Sequence, residues 1–156
     1  SEVKVDAHCR FDATSRTYEY IVYKTKNPFM TDRAYFLNQP VDLDLMNHAA
    51  SRLFDFIDFT SFSKLHTQTK TNNCTIKKAI WEQRGEALIF TIQADRFLRN
   101  MVRALVGTLL ELGLGKISVE DFVQVIKSKD RSKAGVSVPA HALYLTQVTY
   151  PKSIWL

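Results

Sequence analysis

The chain has 156 residues, 46% hydrophobic and 24% charged, which is the size and composition of one ordinary globular domain and excludes a disordered tail. Its 5 Gly and 4 Pro exclude collagen-like or low-complexity sequence, and no window approaches the roughly 18 apolar residues of a membrane-spanning helix. A net charge of +5 permits a polyanionic partner without requiring one.

A chain this long buries about two-thirds of its unfolded surface, so a core forms without disulfides or metal. Cys9 and Cys74 lie far apart and outside any Cys-x-x-Cys spacing, which fits a reducing compartment and predicts a cytoplasmic protein. The start, Ser1-Glu2-Val3, has no Met and no charged-then-apolar leader; we expect no signal peptide, and a piece of a longer chain.

In chain order, Arg16 to Lys24 is aromatic and β-branched, the composition of a strand with Tyr18, Tyr20 and Val22 on one face, ended by Asn27-Pro28. Asp42 caps a predicted helix whose apolar positions Leu45, Met46, Ala49, Ala50, Leu53 and Phe54 follow the 3.6-residue period. Ile57 to Phe62 reads as a short strand, and polar Ser63 to Asn73 as a long exposed loop. Thr75 to Glu82 and Ala87 to Ala94 flank Gln83-Arg84-Gly85-Glu86, a hairpin signature. Phe97 to Leu112 carries one apolar helical stripe ended by Gly113 and Gly115. Ser118 and Asp121 form a capping box ahead of a shorter helix through Phe122, Val125 and Ile126. Leu143 to Tyr150 alternates as a last strand. This order predicts an α+β fold, an antiparallel sheet with helices on one face.

On the long helix, about 100° per residue from Arg96 places Arg103 near −20°, Gly107 near 20°, Asn100 near 40° and Arg99 near −60°, opposite the apolar stripe. Three cations near a helix N-terminus oppose its dipole by roughly a few tenths of a kcal/mol each. Arginine's fork suits phosphate or carboxylate, and a glycine one turn beyond Arg103 admits a partner's backbone. The other reading is a solvated basic face. Lys64, Lys70, Lys77 and Lys78, interleaved with His66, Gln68 and Asn72, form a second basic group that either meets a phosphate backbone or is an ordinary surface loop.

Other chemistries fail on spacing. Side chains adjacent on an extended segment point apart, which argues against a His8-Cys9 nucleophile pair, and His8, His66, Cys9 and Cys74 lack zinc-ligand spacing. No Gly-rich phosphate loop, Gly-x-Ser-x-Gly or aromatic RNA-reading strand motif is present. Asp130 to Gly135 reads as a polar turn. The residues alone lead to a basic α+β domain and no further.

Four strings go further: Arg10-Phe11-Asp12-Ala13-Thr14-Ser15-Arg16-Thr17-Tyr18-Glu19-Tyr20, Asp58-Phe59-Thr60-Ser61-Phe62, Phe97-Leu98-Arg99-Asn100-Met101-Val102-Arg103 with Gly107, and Ala134-Gly135 to Tyr150-Pro151. In this order the chain resembles the C-terminal half of the tRNA pseudouridine synthase A family, from about His8 to Pro151. The resemblance implies two ferredoxin-like halves fused through one sheet, and a homodimer that isomerises uridine in the anticodon arm of tRNA without metal or cofactor. It also implies a catalytic aspartate in an Arg-Thr-Asp-Ala-Gly motif of the N-terminal half, a motif this sequence does not contain. Asp130-Arg131 matches a later family segment and is no substitute. Residues 1–156 are thus expected to be a single C-terminal domain, inactive without the missing N-terminal half.

Carried over by position, Tyr18 matches the tyrosine packed on the target uracil and placed to handle the proton at carbon five. Arg103 matches the basic residue that pairs with the catalytic carboxylate. From charge, Arg10, Arg16, Arg96, Arg99 and the Lys64 to Lys78 loop are expected on tRNA phosphates, with Asn100 and Gly107 on the same surface. Cys9 replaces a common alanine and Ala142 a common glycine. The rival expectations are a noncatalytic RNA-binding module and a ferredoxin-like interaction domain.

Overall fold

The computed structural model describes residues 13–64 and 71–151. Strand β1 spans Ser15–Tyr23 and β2 is the two-residue Tyr35–Phe36. Helix α1 spans Leu43–Ser51, β3 Ile76–Arg84, β4 Ala87–Ala94, α2 Met101–Gly113, α3 Val119–Ser128 and β5 Leu143–Thr149. The fold is α+β, as the periodicities predict.

β1 is flanked by β4 on one side and by β5 and β2 on the other, and β3 completes the hairpin beyond β4. All pairings are antiparallel except β2 on β1, so the sheet is mixed rather than purely antiparallel. The exception is a pairing of Val22 with Tyr35 and Tyr23 with Phe36, too short for any alternation to announce it. Between β1 and β5 the register shifts as Thr17 pairs with Gln147 and Tyr18 with Leu145. Thr146 is the extra residue, and its hydroxyl donates to Thr17 O at 3.2 Å.

One sheet face carries Tyr20, Val22, Trp81, Leu88, Phe90 and Ile92, which join Met46, Leu53, Met101, Leu105, Leu109 and Phe122 of the helical layer in a single buried cluster. Burial of such side chains stabilises by about 1.5–3 kcal/mol each, and this cluster is what holds the layers together. Asp42 and Ser118 cap α1 and α3, the latter through a complete capping box.

Three local expectations are corrected. Helix α1 ends at Ser51, and the chain tightens into a 3-10 turn, Arg52–Asp55, that buries Leu53 but leaves Phe54 exposed. Ile57 to Phe62 is a 3-10 turn over Thr60–Phe62 with a single bridge, Asp58 to Asn73, because the Asp58 carboxylate takes the Thr60 N–H at 3.0 Å and its hydroxyl at 2.5 Å and bends the chain. The long helix starts at Met101 rather than Phe97, because Asn100 adopts a left-handed conformation, φ 70°. Arg96 and Arg99 therefore lie before the helix, and only Arg103 is on it. No helix of the described residues is long and apolar enough to cross a membrane.

Candidate active-site cleft

Where β1 and β5 meet the N-terminus of α2, a cleft of about 380 Å³ opens. Tyr18 and Leu143 supply the sheet wall, Phe97 to Asn100 the bend, Met101 to Arg103 the first turn of α2, and Lys64 the rim. The bulge at Thr146 sets Tyr18 opposite Leu145, on the same face as Tyr20. Phe97 meets the Tyr18 ring edge-on at 5.2 Å between centroids, which fixes the phenol against an apolar wall.

Arg103 projects from the helix into the same cleft, half-buried. Its Nε donates to Val138 O at 2.7 Å, and Val138 N returns a bond to Arg103 O at 3.2 Å. Among the described residues no carboxylate lies within ion-pair distance of its guanidinium. A half-buried cation without a counter-charge is suited to receiving one.

Residues 131–139 run as a strap across α2. Gly107 is the reason they can lie so close: a Cβ there would stand 2.0 Å from Val136 O. Gly135 N donates to Thr108 Oγ1 at 2.9 Å, Tyr20 donates its hydroxyl to Pro139 O at 2.8 Å, and Asn100 and Arg131 both reach Ser137. Burial raises the Tyr20 pKa far above the ordinary phenol range, with Tyr35 adding to the shift and Arg103 opposing it. Tyr20 is therefore a neutral structural donor.

The expected site residues divide into groups. Tyr18, Arg103, Lys64, Arg99 and Asn100 line the cleft together. Gly107 does not: it is buried beneath Val136, and the backbone it admits is the chain's own. Arg96 is internally bonded, its Nη1 donating to Thr71 O at 2.9 Å and Asn73 O at 3.2 Å, so it fastens the end of the polar segment. Lys77 Nζ donates to Thr14 O at 3.2 Å, and Lys77 and Lys78 sit on β3, away from the cleft. Arg16 precedes Tyr18 by two residues on β1. Arg10 and Lys70 lie outside the described residues. Sequence reasoning missed Leu143, Phe97 and the strap; the one available signal was Gly107, whose missing side chain required a close neighbour.

Residues 49–151 match the family model described as tRNA pseudouridine synthase. The chain belongs to this family. A tRNA pseudouridine synthase A of Parabacteroides distasonis is 59% identical over 150 residues, which cover 96% of this chain and 60% of that protein. One from Bacteroides fragilis is 56% identical over 154 residues, covering 98% and 61% respectively. One from Acetivibrio thermocellus is 37% identical over 151 residues, covering 96% and 62%. The chain thus spans about 60% of the length of these curated relatives.

Proposed function

We propose that this chain forms one wall of the active site of a tRNA pseudouridine synthase acting on the anticodon arm, with Tyr18 and Arg103 as its catalytic residues. The observation that carries this reading is the shared cleft, in which the aromatic ring of Tyr18 and the Arg103 guanidinium, lacking a carboxylate partner among the described residues, line one hollow. In the isomerisation the bond from uracil nitrogen to the ribose breaks, the base turns, carbon five bonds to the same ribose carbon and loses its proton, and the freed nitrogen takes one up. Tyr18 offers a face for the uracil and a hydroxyl with no hydrogen-bond partner among the described residues, placed to handle that proton. Arg103 holds ionised an aspartate supplied by an Arg-Thr-Asp-Ala-Gly segment that this sequence lacks. Lys64 and Arg99 on the rim meet phosphates. The same reading makes the working enzyme a homodimer of the complete protein in the cytoplasm, and this chain alone inactive.

The test is pseudouridine formation on unmodified tRNA by the complete protein. Tyr18→Phe keeps the stacking face and removes the hydroxyl, and is expected to slow conversion by about 100-fold or more. Arg103→Ala is expected to do the same while tRNA still binds. Undiminished turnover by both variants, or turnover by residues 1–156 alone, would sink the assignment. Salt-dependent tRNA binding by an intact protein that never isomerises would favour a noncatalytic RNA-binding module instead.

A further inference from the structure

Ser137 lies at the centre of a hydrogen-bond chain that the catalytic pair does not use. Its Oγ accepts from Asn100 Nδ2 at 2.5 Å and from Arg131 Nη2 at 3.0 Å, and Arg131 Nη1 donates to Gly135 O at 3.0 Å. Asn100 stands at the N-cap of α2, where a side chain of its type ordinarily accepts a free helix N–H, and it makes no such bond. Its backbone is left-handed, a conformation asparagine adopts more readily than other non-glycine residues. The helix start gives up a cap, and the side chain is turned to the strap.

The residue after Ser137 is Val138, whose carbonyl takes the Arg103 Nε–H. A guanidinium is a rigid planar fork, so fixing Nε fixes the plane of the two terminal nitrogens. A carboxylate is gripped by two parallel bonds only when that plane is already set. We propose that Asn100, Ser137 and Arg131 are positioning residues for the isomerisation: they lock the strap so that Val138 presents the Arg103 fork to an incoming aspartate. The proposal rests on the reading of Arg103 given above.

The test uses the complete protein and two readouts. One is the exchange of the Arg103 Nε proton with water, followed by NMR of nitrogen-labelled arginine side chains, with the signal assigned from Arg103→Lys. The other is the single-turnover rate of pseudouridine formation at saturating tRNA. Ser137→Ala is expected to accelerate the exchange and to lower the rate by about 10- to 100-fold with tRNA affinity unchanged. Ser137→Thr, which keeps the hydroxyl, is expected to restore both. Asn100→Gly suits the left-handed backbone while deleting the amide, and is expected to shift both readouts in the same direction with thermal stability retained. Unchanged exchange in Ser137→Ala or Asn100→Gly overturns the proposal, as does a rate loss that threonine fails to restore. If the unsubstituted protein protects the proton yet makes no pseudouridine, the isomerase reading fails while the exchange data still decide the positioning.

Discussion

Gly107 faces Val136 O so closely that adding one methyl group must displace the strap or the helix. Gly107→Ala is therefore expected to destabilise the protein by about 1–3 kcal/mol, read as a lower thermal midpoint, even though alanine is the better helix former. Cys74 makes the opposite kind of prediction. Its thiol is buried against Met101 Sδ at 3.9 Å, and burial pushes its pKa up to about 11, with Arg96 pulling the other way. An alkylating reagent at neutral pH is expected to leave Cys74 unmodified in the folded protein and to label it after denaturant is added, checked by peptide mass mapping. Neither environment is written in local sequence, because each is made by residues far away along the chain. Tyr18 and Arg103 stood out through their likeness to known motifs. Charge and periodicity alone singled out Arg96 as readily, and its hydrogen bonds to Thr71 and Asn73 occupy it internally.

The segment between α1 and β3 is held by Asp58, which accepts from Thr60 and pairs with Lys129 Nζ at 3.5 Å beside the end of α3. Burial works to raise the Asp58 pKa, but the hydrogen bonds from Thr60 and the charge of Lys129 outweigh it and hold the carboxyl below its ordinary range. A folded-state value below the unfolded one means that this stabilisation is present above the unfolded value of about 3.9 and drains away as pH falls through the lower folded value. Asp58→Asn is expected to cost about 1 kcal/mol at neutral pH and to flatten the acid limb of the stability curve, measured by denaturant titration at several pH values. At this scale the periodic elements were legible: β1, the β3–β4 hairpin, α1, α3 and β5 follow from alternation, capping residues and a Gly-containing turn. The start of α2 and the 3-10 turn were not. The apolar stripe runs unbroken through Leu98 and Met101, and only the left-handed Asn100 between them separates bend from helix. β2 is two residues long and owes its pairing to β1, not to its own pattern.

Over the whole molecule, the net charge of +5 is unevenly available for an anionic partner. Lys64 and Arg99 line the cleft, whereas Arg96 is engaged internally. In the complete protein, Lys64→Ala and Arg99→Ala are each expected to reduce the slope of log affinity for tRNA against log salt by about 0.7–0.9, measured by filter binding across a salt series. Arg96→Ala is expected to lower thermal stability and leave that slope nearly unchanged. The layer architecture was predictable from element order, but the cleft was not, since four separated stretches build it. Two of those stretches carry a kinetic consequence. Among the described residues Tyr18 sits on the first strand and Leu143 on the last, and the two strands pair from Ser15 with Thr149 to Tyr20 with Leu143. During translation the stretch of β1 from Ser15 to Tyr20 must wait, that edge unmatched, until Leu143 to Thr149 has left the ribosome. Contacts of such high sequence separation make for slow folding, so the hollow between Tyr18 and Leu143 closes later than the β3–β4 hairpin beside it.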